Sequence, residues 1–299
     1  MAWEIKQLSD VAFLQRGFDI TAALQEVGPI PVVSSSGVTS YHSKAMVDGP
    51  GVVVGRKGTL GKVHYIQANL RRIGLLEEAA RLIYREWFVH LRFPGHECVR
   101  VVDGVPKAWD SMLASECLEV LSGGTPKTAD PANWGGDIPF FTPKDHAGAF
   151  YVLDTEKHLS DIGLSNCNSR LFPKDTVFIT ARGTVGKIAL AQRPMAMNQS
   201  CYALVGRNHL TQMFTFMAIR EAAGQLQQAA TGGVFDTIIV DTFKQLSLLV
   251  PPPNLMNEFD ATIHPIFTKI DTLLRSNQRL QSARDLLLPR LMSGSLEVP

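Results

Sequence analysis

Residues 254–292 read NLMNEFDATIHPIFTKIDTLLRSNQRLQSARDLLLPRLM, and their spacing decides how the chain is built. Core-type positions recur at Phe259, Ile263, Ile266, Ile270, Leu273, Asn277, Leu280, Leu287 and Leu291, in steps of four and three, with Arg284 filling the one gap. Such a heptad seam belongs to a helix lying along another helix rather than on a broad core. At ~1.5 Å per residue, about thirty residues make a rod of roughly 45 Å. Asn277 sits on the seam, where a polar residue costs stability and fixes register. Pro251-Pro252-Pro253 forms a rigid lead-in. Pro265 either kinks the helix or marks its start, and Pro289 with Gly294 ends it.

A second stretch supplies the partner. Residues 68–92, ANLRRIGLLEEAARLIYREWFVHLR, place Asn69, Ile73, Leu76, Ala80, Ile83 and Trp87 on the same alternation. Both segments run from an Asn to an Arg and then an aliphatic residue: Asn69…Arg72-Ile73 and Asn277…Arg279-Leu280. Matching seams with matching polar positions predict an intramolecular antiparallel pair, which divides the remaining chain into two blocks.

The 299 residues, 45% of them hydrophobic, suffice for two domains. A net charge of +1 lacks the basic excess usual in nucleic-acid binders. Contact with phosphates would therefore have to come from local basic loops or from a partner. The opening MAWEIKQLSD has no basic segment leading into an apolar run, and no stretch approaches the ~18 apolar residues of a membrane span. A soluble, cytoplasmic protein is expected. Cys98, Cys117, Cys167 and Cys201 are scattered without ligand spacing, which favours free buried thiols over zinc or disulfides.

The two blocks repeat one plan. WEIKQLSDVAFLQRG from Trp3 to Gly17 recurs as WDSMLASECLEVLSG from Trp109 to Gly123, each a short helix or turn followed by a strand. Ile30-Pro31-Val32-Val33-Ser34 recurs as Ile138-Pro139-Phe140-Phe141-Thr142, a short buried strand in each copy. GVVVGRKGTLGKV at 51–63 recurs as TVFITARGTVGKI at 176–188, a strand entering a Gly-rich basic hairpin. Three matches in order mark a tandem duplication. The first copy reaches its long helix directly after Lys62 through Val63-His64-Tyr65-Ile66. The second continues through a strand at Cys201–Val205, a helical stretch, a turn at Thr231-Gly232-Gly233 and a strand near Leu246–Val250. The chain thus divides into a shortened block at 1–66, a long helix at 67–93, a linker at 94–106, a complete block at 107–252, and a second long helix with its tail at 254–299.

The hairpins are not ATP loops. A P-loop needs Ser or Thr after its Lys to hold the metal, and Val63 and Ile188 stand there instead. Two readings remain. In one, the glycines serve a β-turn whose lysine points to water; in the other, Arg182, Thr184 and Lys187, with Arg56, Lys57 and Lys62 in the first copy, face phosphates. Recurrence of the basic residues favours the second. Lys127 lies in the loop leading to the Ile138 strand, and Lys144 and Asp145 follow that strand. Asn198 and Gln199 open the strand ending at Val205. Amide side chains can bridge adenine, Lys can donate to guanine and Asp can accept from cytosine, although each residue alone is also an ordinary turn residue. The sequence carries no H-E-x-x-H, G-x-S-x-G or glycine-rich cofactor fingerprint, so no catalytic residue and no metal site is expected.

These motifs together resemble a known family. LSGGTPKTADPANWGGDIPFFTPKDH (121–146), TVFITARGTVGKIAL (176–190), MNQSCYAL (197–204) and GGVFDTIIVDTFKQLSLLVPPP (232–253) are similar to the specificity subunit of Type I restriction–modification systems. So are the helices LLEEAARLIYREWFVHLRFPGHE (75–97) and NQRLQSARDLLLPRLMSG (277–294). The resemblance covers most of 68–299 and implies an α+β fold: mixed β target-recognition domains joined by two long antiparallel coiled-coil-like helices. It implies a non-catalytic subunit that reads double-stranded DNA and docks modification (methyltransferase) subunits, with restriction subunits as further partners. S-adenosylmethionine would sit on the methyltransferase, and this chain would bind no cofactor directly. The helices would hold the partner interface through Asn69, Ile73, Leu76, Ile83, Trp87, Ile270, Asn277, Leu280 and Leu287. The shortened first block departs from the family plan, which leaves residues 107–252 as the base-reading part. Two further expectations follow: self-association through the seams, and, as the rival reading, a truncated module or decoy that binds the methyltransferase without directing it.

Overall fold

The computed structural model describes residues 20–21, 24–26, 28, 30–34, 37–47, 51–54, 63–66, 68–230 and 237–292. Arg56, Lys57 and Lys62, the Trp3–Gly17 segment and the Thr231-Gly232-Gly233 turn lie outside them. The chain forms two compact units, one of Met1–Ile73 with Leu273–Pro299 and one of Gly74–Thr272.

In the first unit, β1 (Ile30–Ser34) and β2 (Gly37–His42) form an antiparallel hairpin, as do β3 (Gly51–Val54) and β4 (Val63–Ile66). Ile30, Val32 and Val33 are half-buried, not buried as the repeat suggested, because among the described residues β1 pairs with β2 alone. Helix α1 (Ala68–Tyr84) starts here and continues into the second unit, where it ends in a single π-helical stretch, Arg85–Val89.

The second unit departs from expectation at residues 94–106. The expected linker contains a hairpin of β5 (Val101–Val102) and β6 (Val105–Pro106). Asp103 and Gly104 between them both have positive φ, as a two-residue turn of this kind demands. There follow β7 (Asp110–Leu113), α2 (Ala114–Cys117), β8 (Leu118–Ser122), β9 (Trp134–Phe141), β10 (Tyr151–Val152), β11 (His158–Leu159) and α3 (Asp161–Ser165). Then come β12 (Val177–Thr180), β13 (Ile188–Ala191), β14 (Ala196–Met197), β15 (Cys201–Gly206), α4 (Gln212–Glu221), α5 (Ala223–Ala230), β16 (Ser247–Val250) and α6 (Pro253–Met292). A mixed five-stranded sheet runs β10-β13-β12-β15-β8, beside a three-stranded sheet β11-β9-β14 and the pair β16-β7. Every residue of β12 and β13 is buried, as expected of central strands covered on both faces. The fold class is α+β.

The duplication is visible in hydrogen-bond register. Val52↔Tyr65, Val53↔His64 and Val54↔Val63 in the first hairpin correspond position for position to Val177↔Leu190, Phe178↔Ala189 and Ile179↔Ile188 in the second. A slip of one residue would turn every side chain to the other face, so shared register reflects shared patterning.

The long helices pair antiparallel, but not on the predicted heptads. Asn69 donates from Nδ2 to Oδ1 of Asn277 at 2.9 Å, so the two seam asparagines do meet. At the other end Phe259 of α6 packs against Phe88 (4.8 Å between ring centroids) and Trp87 (5.6 Å). The buried positions of α1 and its π turn are Asn69, Ile73, Glu77, Ala80, Tyr84 and Phe88, while Leu76, Ile83 and Trp87 are half-buried. On α6, Phe267 and Leu274 are buried beside Phe259, Ile263, Ile270 and Leu273, and Ile266 is half-buried. Steps of four, four and three give an eleven-residue repeat of ~3.67 residues per turn, which does not drift leftward as a heptad does. The cause is the globular core. Tyr84, Phe88 and Phe259 form one aromatic cluster with Phe214 of α4, so each helix presents a wide face to the domain rather than a narrow seam to its partner. Beyond Asn277 the seam thins: Leu280 is half-buried and Leu287 exposed. Pro253 occupies the first helical position, where its missing N–H costs nothing. Pro265 and Pro289 lie inside the helix with exposed rings, and the helix runs past Pro289 to Met292 rather than stopping there.

Two carboxylates from these helices hold the edge of the five-stranded sheet. Glu77 of α1 accepts the Phe150 N–H at 2.8 Å, just ahead of edge strand β10. Asp271 of α6 accepts from Gln192 Nε2 and Lys174 Nζ, both at 2.8 Å, at the end of β13. Glu77 is buried, and burial raises its pKa against the opposing pull of the Phe150 N–H and of Arg220. Arg220 lies 4.7 Å over the Phe150 ring, completing the contact.

Candidate nucleic-acid interface

Strand register places four loops at one end of the five-stranded sheet. Tyr202 pairs with Ser122, Thr180 with Cys201 and Ile179 with Ile188. The exit of β8, the β12–β13 hairpin and the entry to β15 therefore share that end. The turn after β9 joins them through a bond from the Asn198 N–H to the Phe141 carbonyl at 3.0 Å.

Each loop is tied to the next. Ala181 and Arg182 donate their N–H groups to the Ser200 carbonyl at 2.8 and 3.2 Å, and Ile238 N–H caps the Ala181 carbonyl at 3.0 Å. The Thr125 hydroxyl bonds Gln199 Oε1, and Gly124 N–H donates to the Met197 carbonyl at 3.0 Å. At Gly123 a Cβ would come within 2.3 Å of the Asn198 carbonyl oxygen, so no other residue fits there. The hairpin is closed from within by Thr180. Its buried hydroxyl donates to the Thr184 carbonyl and accepts the Lys187 N–H at 3.0 Å. Gly183 and Gly186 both adopt positive φ there.

The structure thus brings Lys127, Lys144, Asp145, Arg182, Thr184, Lys187, Asn198 and Gln199 onto one loop cluster. Lys127, Lys144, Arg182, Thr184, Lys187 and Gln199 are exposed, and Asp145 and Asn198 are half-buried. Among the described residues none of the four cations has an ion-pair partner, whereas Lys174 and Arg193, at the other end of β12 and β13, are paired with Asp271 and Asp154. Asp145 behaves differently from its neighbours. Its Oδ2 accepts Thr142 N–H at 2.8 Å and the Thr142 hydroxyl at 2.7 Å, and its Oδ1 accepts Glu156 N–H at 2.8 Å. His146 lies behind the cluster, with Nε2 at 3.2 Å from the Ile188 carbonyl and Nδ1 accepting Gly148 N–H at 3.2 Å. Burial, opposed by the Ile188 bond and aided by Lys187, lowers its pKa and keeps the ring neutral.

Thr180 and Lys157 carry no mark in the sequence motifs, whereas Trp134 is one of the aromatic residues that the sequence places near these loops. Thr180 has no counterpart in the first copy, where Gly55 stands, so the repeat could not flag it. Its only local signal is a hydroxyl residue at a strand end before a turn. Trp134 and Lys157 line a surface groove of about 420 Å3 with Thr128 and Glu156, and the Lys157 ammonium sits 5.4 Å from the Trp134 ring centroid. No group of His, Cys, Asp and Glu among the described residues is placed to hold a metal, and no described helix is long and apolar enough to cross a membrane. Cys98 is exposed and Cys167 half-buried, so two of the four free thiols depart from the expected burial.

Residues 106–283 match the model of the Type I restriction modification DNA specificity domain. The MjaIX specificity subunit of Methanocaldococcus jannaschii is 27% identical over 179 residues, covering 58% of this chain and 40% of that protein. The HindI specificity subunit of Haemophilus influenzae is 25% identical over 195 residues, covering 64% and 42%. The chain therefore spans about two fifths of the length of these curated relatives. In fold it is similar to the S subunit of a Type I restriction–modification system from M. genitalium, with a TM-score of 0.51 at 15% identity over 75% of this chain and 56% of that one. With more than half of its length matched by the family model, the chain belongs to the Type I restriction–modification DNA specificity family.

Proposed function

We propose that this chain is a non-catalytic DNA-recognition subunit of a Type I restriction–modification complex, reading bases through residues 107–252. The observation that carries the reading is the loop cluster. Four unpaired cations and the Gln199 amide project from backbone already locked by hydrogen bonds, at one end of a buried sheet. Cations supply phosphate contacts and amides base-edge contacts, and a preformed surface spends little affinity on ordering itself. A net charge of +1 fits a subunit whose partners share the work of clamping the duplex. Those partners would be modification subunits carrying S-adenosylmethionine and methylating adenine, with restriction subunits adding cleavage, all in the cytoplasm. The paired helices α1 and α6 would be the dock. With one complete recognition block per chain, two copies joined through exposed seams would present a palindromic target.

The test is a gel shift of the complex assembled with modification subunits, using Arg182→Ala and Lys187→Ala across a salt series. Each lost phosphate contact lowers the slope of log K against log salt by about 0.9. A complex indifferent to both substitutions would instead be an interaction module that ignores DNA.

A further inference from the structure

We infer that Asp145 positions Lys144 on the DNA-facing loop cluster and does not itself read a base, an inference resting on the recognition role proposed above. A carboxylate has about four lone-pair sites. Three are taken at Asp145, by the Thr142 N–H, the Thr142 hydroxyl and the Glu156 N–H. All three bonds lie between 2.7 and 2.8 Å, in the range of charge-assisted contacts. The half-buried carboxyl that remains is a poor acceptor for an exocyclic amine in a groove.

The same bonds determine where Lys144 stands. The turn Thr142-Pro143-Lys144-Asp145 closes through Asp145 N–H to the Thr142 carbonyl at 3.0 Å, and Pro143 fixes its own φ. Oδ2 holds the first residue of the turn, and Oδ1 holds Glu156 in the loop that leads into β11. Lys144, between them, is exposed and has no ion-pair partner among the described residues. Its backbone is fixed on both sides while its ammonium is available. That is how a scaffold presents a contact residue at low ordering cost.

The test uses Asp145→Asn in the assembled complex. An amide turns one acceptor oxygen into a donor, setting N–H against N–H at one of the two braces. Binding should fall for every DNA sequence by roughly three- to tenfold, the scale of ordering one long side chain, and the methylated sequence should stay the same. Paired with Lys144→Ala, the loss should be non-additive: the double variant binds as Lys144→Ala does, because the brace acts through the lysine. Thr142→Val removes only the hydroxyl and should give a smaller uniform loss, so the idea stays testable if Asp145→Asn folds poorly. Relaxed specificity at a single base pair would show that Asp145 reads a base, and additive losses would show a general structural effect; either overturns the inference. A native complex that binds no DNA would instead remove the recognition role beneath it.

Discussion

Glu77→Gln and Glu77→Ala should have opposite consequences for stability. The carboxylate is buried on α1 and accepts the Phe150 N–H at 2.8 Å, where the edge of the central sheet meets the helix. Alanine removes that acceptor and leaves a buried N–H unsatisfied, costing about 1–3 kcal/mol. Loss of the methylene adds ~0.8 kcal/mol. A total of about 3 kcal/mol corresponds to a midpoint roughly 6–12 °C lower for a domain of about 200 residues. Glutamine keeps a carbonyl for Phe150 and removes the desolvated charge, so it should be neutral or stabilising at pH 7. The pH dependence carries the same signature. Burial raises the Glu77 pKa above 4.5, so its contribution is fully present below 4.5 and is lost as pH rises through the folded value. Urea denaturation of the native chain, Glu77→Gln and Glu77→Ala between pH 4 and 8 reads both effects. If glutamine destabilises as much as alanine at pH 7, the carboxylate is needed as an ion and the reasoning fails.

Two other expectations concern buried and half-buried polar groups. For the asparagine pair, replacing either Asn69 or Asn277 alone by Leu should cost about 1–3 kcal/mol, because the amide–amide bond is lost and an apolar side chain is set against the remaining amide; replacing both should cost less than the sum. A double-mutant cycle by chemical denaturation measures this, and additive costs would contradict it. His146 has its pKa lowered, chiefly by burial, so its stabilising contribution is present above 6.5 and is lost as pH falls through 6.5 towards the folded value. The native chain should therefore lose more stability than His146→Gln between pH 7.5 and 5.5, and equal losses would remove His146 from the account.

Much of this organisation was legible in the residues because local and long-range signals agreed. The asparagines at 69 and 277 announced their own pairing, and the Gly-rich hairpins kept a common register through the duplication. The side of the helices was harder to read. Counting from a coiled-coil template selected Leu76, Ile83 and Trp87, whereas packing against Phe214 recruited Tyr84 and Phe88. Nothing local distinguishes a helix that serves a partner helix from one that also serves a domain. Asp145 shows the same limit at the site. Its residue type suits cytosine recognition, but its bonding depends on Glu156 eleven residues later, which no spacing rule predicts. Asp103-Gly104 is the opposite case, a strong hairpin signal inside a stretch read as a linker.

The most direct measurement is the methylome of cells that supply the modification partner with and without this chain. Adenine methylation confined to one recurring sequence, appearing only with the chain and moving to another sequence when residues 107–252 are exchanged for those of a relative, is the predicted result. Methylation unchanged by adding the chain, or a target that survives the exchange, would contradict base reading by this domain.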